Sequence, residues 1–155
     1  KVNDGGFYYS PNHDGYSAAG KGEQGALRSY GSMTYAGLKS MVFAGLKADD
    51  IRVKAATKWL QTNYSVDENP GLGQAGLYYY YHLMAKALNA VGSPTFEDAQ
   101  GVKHDWRAEL ATAIIKRQQP NGSWINSNNR WYESDPNLAT SFALLALSYC
   151  QHGKY

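Results

Sequence analysis

Gln118-Gln119-Pro120-Asn121-Gly122-Ser123-Trp124 is the stretch that decides the fold. It has the spacing Gln-x-x-x-Gly-x-Trp and stands at the end of a predicted helix. A shorter echo, Gly5-Gly6-Phe7, follows Asp4 near the start of the chain. A turn that recurs in this way marks an array of helical hairpins, and such an array fixes where a ligand can sit. The 155 residues suffice for a single domain over 1–155 with a real core, but are short for a closed ring of hairpins.

Working outward from this turn, hydrophobic periodicity predicts five helices. The first runs over roughly Ser32–Leu46, with Ser32 as its N-cap. The second, Asp50–Asn63, carries Ile51, Ala55, Ala56, Trp59 and Leu60 on one face. The third, Gly73–Val91, is apolar nearly all round. The fourth, His104–Gln119, has one stripe of Trp106, Leu110, Ala113 and Ile114. The fifth, Asn137–Tyr149, is apolar on most sides. Helices apolar all round must be enclosed, whereas striped helices can face water. Their strict alternation predicts inner helices one, three and five backed by outer helices two and four, joined as successive hairpins. The run Tyr78-Tyr79-Tyr80-Tyr81 places helix three inside, because successive residues project about 100° apart and four phenols sweep most of its circumference.

The Gly-, Pro- and Asn-rich links Ser65–Leu72, Gly92–Lys103 and Ser123–Pro136 read as loops. Pro11–Tyr30 is a longer glycine-rich excursion over one rim, either a lid or a surface loop. Tyrosine is over-represented, at 13 against 4 Phe, and suits half-wet cavities and interfaces. The formal charge of +2 is scattered without a basic cluster, so no nucleic-acid partner is expected. The lone Cys150 excludes an intrachain disulfide and reads as a small buried hydrophobe. No run of 18 apolar residues is present, so no transmembrane segment is expected. The chain opens on Lys1 without an apolar leader, as a processed or truncated piece would.

The turn Gln118–Trp124, its parallel at Gly5–Phe7, and the matching openings Thr34-Tyr35-Ala36 and Ser141-Phe142-Ala143 resemble the prenyltransferase and squalene-cyclase repeat. The run Asp67-Glu68-Asn69-Pro70-Gly71 followed by Gly76–His82 is similar to uncharacterised members of that superfamily. The resemblance implies an all-α fold: part, about half, of an α/α toroid whose aromatic central cavity takes an isoprenoid or another small molecule. A second chain or a missing N-terminal half would complete the ring. It further implies that Gln118 bonds a helix end, Gly122 turns the chain and Trp124 packs between helices. The catalytic motifs of these families are not matched. The nearest approach to an Asp-x-Asp-Asp acid is Asp49-Asp50, which reads as helix capping. The positions of the zinc ligands hold Ser32, Thr34 and Ala139, so neither a metal nor another cofactor is expected. Gly20-Lys21-Gly22-Glu23-Gln24 has lysine where a thioester domain has cysteine, and is read as coincidence.

A site belongs at the rim where loops feed the N-terminal ends of the inner helices. Asp67, Glu68 and Gln74 precede the third helix, and Trp131, Glu133 and Asp135 precede the fifth. Glu68, His82, Glu133 and Asp135 are the candidate catalytic residues. Set against this, Asp135 before Pro136 is most simply an N-cap, and His82 a core histidine. His13-Asp14 and His104-Asp105 are further neighbours in sequence, with Asp105 reading as a cap. Tyr35, Tyr78, Tyr79, Trp131 and Phe142 are expected to line the cavity, where aromatic faces stabilise cations. The leading reading is a terpenoid-cyclase-like protein. A carbohydrate-active or glycan-binding protein using Trp131 with Glu68 and Glu133, and a non-catalytic helical scaffold, are the alternatives. Facing carboxylates roughly 5–10 Å apart would favour glycoside chemistry.

Overall fold

The computed structural model describes residues 4–10 and 15–151. It is mostly helical, with α1 (Gly31–Phe43), α2 (Ile51–Thr62), α3 (Leu77–Val91), α4 (Trp106–Ile115) and α5 (Pro136–Cys150). Helix α3 lies between α1 and α5, while α2 packs on α1 and α4 on α5. The odd helices thus form one layer and the even helices back it. No helix among the described residues is long and apolar enough to cross a membrane.

The stripes place the outer helices. Val53, Ala56, Trp59 and Leu60 of α2, and Trp106, Leu110, Ala113 and Ile114 of α4, are buried. Ile51, expected on the apolar face of α2, is instead 80% exposed at its first position, before the packed turns begin. Enclosure of the odd helices is most complete for α3, whose Tyr78, Tyr80, Tyr81 and Met84 are at most 1% exposed, although Tyr79 is half-buried and Val91 at its end is open. Helices α1 and α5 each have only one neighbour in their layer, which leaves Phe43, Leu144 and Leu145 open.

Helix ends move for local reasons. Asp50, Asp105 and Asp135 are N-caps whose side chains accept from the amides of Arg52, Ala108 and Asn137. Ser32 is not the cap of α1; Tyr30 stands there without a side-chain bond, and Asn69 accepts from the Ser32 amide at 3.0 Å. Helix α3 begins four residues later than periodicity predicts, because Gly71, Gly73 and Gly76 adopt positive φ and coil the chain first. Helix α4 begins at Trp106, because Lys103–His104 pairs with Phe96–Glu97 in a short antiparallel hairpin, β1 (Phe96–Glu97) and β2 (Lys103–His104). That hairpin lies in a segment read from sequence as loop and helix start.

Candidate functional site

Three inner-helix N-termini open onto one aromatic cleft. Its volume is about 680 Å³, and Tyr9, Tyr16, Tyr30, Tyr79, Trp131 and Phe142 supply the rings. Met33 and Ala36 of α1 and Leu138 of α5 fill the wall between them. Tyr79 meets Phe142 edge-on, with centroids 5.5 Å apart. Burial raises the phenols of Tyr30 and Tyr79 above their ordinary value, so both hydroxyls stay neutral donors.

Each loop that feeds one inner helix secures the helix before it. Asn69, ahead of α3, holds α1 by accepting from the Ser32 amide, while its own amide group donates to the Ala75 carbonyl at 3.1 Å. Glu133, ahead of α5, holds α3: its carboxylate accepts from the Tyr79 amide at 2.8 Å and the Tyr78 amide at 3.3 Å. A third donor, Asn126 Nδ2, lies 2.8 Å from the same carboxylate. Glu133 is 1% exposed, and its negative charge faces the positive end of the α3 dipole. Although it borders the cleft, its oxygens are occupied by structural donors.

The two glycine-aromatic turns are equivalent in three dimensions. The Phe7 amide donates to Thr34 Oγ1 on α1, and the Trp124 amide donates to Thr140 Oγ1 on α5, each at 3.0 Å. Trp124 is buried between α4 and α5, and its indole donates to the Ile114 carbonyl at 2.8 Å. Gly122 makes the turn at φ +85°. Gln118, expected to bond a helix end, instead donates to the Gly122 carbonyl of its own turn at 2.8 Å. The side chain is exposed there and the nearest free acceptor is local.

Trp131 is set by an unusual backing. Gly76 stands at the N-cap of α3 in the left-handed region, and a Cβ there would lie 2.9 Å from Cε3 of the Trp131 ring. Over the same ring lies the Arg130 guanidinium, 4.8 Å from its centroid, while Arg130 also donates to the Tyr16 hydroxyl at 3.1 Å. This joins the 15–30 excursion to the 124–135 loop across the cleft mouth.

Of the rings expected in the cavity, Tyr79, Trp131 and Phe142 line the cleft. Tyr35 and Tyr78 do not; both are 1% exposed in the core, turned by the helical period onto packed neighbours. Tyr9, Tyr16 and Tyr30 were not singled out from sequence. Tyr16 and Tyr30 come from an excursion without periodicity and Tyr9 from the segment before it, and only their aromatic type in a tyrosine-rich chain marked them. Glu68 is exposed in its loop and is not part of the cleft wall, so it does not pair with Glu133 there. Asp135 is spent on capping. His82 lies one turn below Tyr79 and stacks on Phe142 at 6.0 Å, with Nδ1 buried and unpartnered. Burial, then the charges of Lys86 and Lys39, hold its imidazole below the ordinary value. Neither expected role, partner of a cavity carboxylate or satisfied core histidine, fits this placement. His13 and Asp14 lie outside the described residues.

A second polar cluster surrounds His104. Its Nδ1 lies 3.0 Å from Glu109 and its Nε2 3.2 Å from Asp98, while Tyr64 donates to Glu109 at 2.8 Å. Among the described residues no group of three or more His, Cys, Asp or Glu is placed to hold a metal ion. Comparison of the chain with known protein families, with curated proteins and with solved structures returned no match.

Proposed function

We propose that this protein binds an isoprenoid-class molecule in the aromatic cleft, and that its helical layers are part of a terpenoid-cyclase-like α/α toroid. The observation that carries the reading is the cleft wall. Six aromatic rings and several aliphatic side chains surround about 680 Å³, within the range of small-molecule sites, which is roughly 300–1,000 Å³. A long apolar molecule gains by leaving water for such a wall, and the π-faces add attraction for a polarised or cationic segment. The toroid is supported by the order of the layers and by the apolar residues exposed on the outermost inner-layer helices, Phe43, Leu144 and Leu145.

Binding is the better-supported activity, because the one carboxylate among the described wall residues is buried and already accepts from three structural donors. Glycoside chemistry needs two free carboxylates across the site, and Glu68 is not in it. Native mass spectrometry of protein taken from its source is the test. The expected result is a co-purifying species with the mass of a terpenoid. An oligosaccharide adduct would replace this reading with the glycan one. A ligand-free protein that also ignores added terpenoids would leave only a scaffold.

A further inference from the structure

We infer that Arg130 receives an oxyanion head, carboxylate or phosphate, of an amphiphilic ligand whose apolar body lies in the cleft. The inference rests on the cleft-binding reading above and adds the class of ligand and the residue that selects it.

Arg130 stands where such a head would emerge. Its guanidinium is fixed at two points, against the Trp131 face at 4.8 Å and on the Tyr16 hydroxyl at 3.1 Å, and both of those rings belong to the cleft wall. Trp131 cannot recede, since Gly76 backs it closely. With its Cζ over the indole and one N–H on Tyr16, Arg130 keeps further N–H donors, and the edge of a guanidinium presents parallel N–H donors spaced for two oxygens. Only one side-chain bond of Arg130 is made within the described residues, the one to Tyr16, out of five available donors. Among the described residues the ion pairs are Asp50 with Arg52, Asp67 with Arg117, and Asp98 and Glu109 with His104, and none of them involves Arg130. Glu133, the carboxylate nearest in sequence, is tied to the amides of α3. Arg130 is therefore a held cation with no ion-pair partner among the described residues, beside an apolar wall.

Three probes of one chain length test this: farnesol, farnesoic acid and farnesyl monophosphate, titrated by intrinsic fluorescence at low and high salt. The native protein is expected to bind both anionic probes roughly tenfold more tightly than farnesol, as a charge-assisted bond pair implies. Added salt should shrink that preference. In Arg130→Gln the ratio of anionic to neutral affinity should fall towards one, and Arg130→Lys, which keeps charge without the fork, should sit between. Equal affinity of the native protein for all three probes would overturn the inference while leaving the cleft reading intact. No binding of any probe would overturn the cleft reading itself. A preference for the monophosphate alone would identify phosphate as the head, and equal preference for both anions would identify the shared oxyanion chemistry.

Discussion

The cleft side and the core side of α3 are made from the same residue type, yet they are built to opposite ends. On the core side Tyr80 and Tyr81 are fully buried, and their hydroxyls donate to the carbonyls of Ser65 and Val66 at 2.6 and 2.7 Å. These two phenols tie α3 to the link that precedes it. On the cleft side Tyr79 is half-buried, makes no such tie, and offers its ring to Phe142 and to the open space. The difference shows that a tyrosine whose hydroxyl is spent locks a fold, whereas one with an unspent hydroxyl on an open wall is available to a ligand.

Glu133 serves both sides at once, and removing it is the largest disturbance expected. Glu133→Ala leaves two helix amides and one of the two Asn126 side-chain N–H groups without an acceptor in a buried position, while the other stays on the Gln74 carbonyl. A loss of about 3 kcal/mol or more in urea unfolding is expected. Glu133→Gln keeps the shape and one acceptor and should cost roughly half as much. If Glu133→Ala unfolded like the native protein, the capping account of the rim would fail, and a catalytic role for this carboxylate would regain its force.

Gly76→Ala separates the two sides. A left-handed φ of +65° costs a Cβ-bearing residue roughly 1–2 kcal/mol, and the new methyl would press on Trp131. The ring can yield only toward the cleft. Stability should therefore fall modestly while affinity for a cleft ligand falls by roughly tenfold or more, the effect of an overpacked wall. Unchanged ligand affinity would mean that Trp131 is not part of the binding wall.

The layers were legible in the sequence because burial imposes its period on composition. Stripes on α2 and α4, and all-round apolarity of α3, follow from which faces meet protein. The glycine-aromatic turns were legible for the same reason, since Phe7 and Trp124 occupy repeated positions against Thr34 and Thr140. The cleft was legible only in outline. Its place at the inner-helix N-termini follows from the hairpin order, but half of its rings come from the 4–30 segment, where no period exists to reveal a facing direction. The role of Glu133 was hidden as well. It caps a helix 55 residues away in sequence, and a capping register is readable only when cap and helix are adjacent. Misplacing Tyr78 came from knowing that the run sweeps α3 without knowing the phase of the sweep, and Tyr35 was misplaced because its position at the start of α1 does not reveal which side of that helix it faces.

Hydroxyl deletions sharpen the contrast within the core itself. Tyr80→Phe and Tyr81→Phe each remove a donor and leave a buried carbonyl short of a partner, at about 1 kcal/mol apiece. Tyr35→Phe should be neutral or stabilising by up to about 1 kcal/mol, because among the described residues its buried hydroxyl makes no well-formed hydrogen bond and has only a weak contact with the Tyr80 hydroxyl to lose. Chemical denaturation of the three variants checks the order. A Tyr35→Phe variant as damaged as the other two would show that its hydroxyl is satisfied after all.

The smallest effect lies outside the cleft wall, at His104, and serves as the control for the comparison. Burial alone would lower its imidazole pKa, but the bonds to Asp98 and Glu109 outweigh burial and the net shift is upward from 6.5. Asp98 is shifted the other way: burial would raise it, yet the amides of Val102 and Gln100 and the His104 ring hold it below its ordinary 3.8. A raised histidine contributes stability that is complete below pH 6.5 and fades as pH rises through its native value. A lowered aspartate contributes above pH 3.8, and that contribution is lost as pH falls through its native value. The cluster, with Tyr64 closing it against Glu109, is therefore most stabilising between about pH 4 and 6.5. His104→Gln should flatten the fall in stability above pH 6.5 and leave ligand affinity in the cleft unaltered. NMR titration of the His104 ring gives the native pKa directly. A value at or below 6.5 would show that the two carboxylates do not hold the imidazolium, and the expected pH dependence would vanish with them.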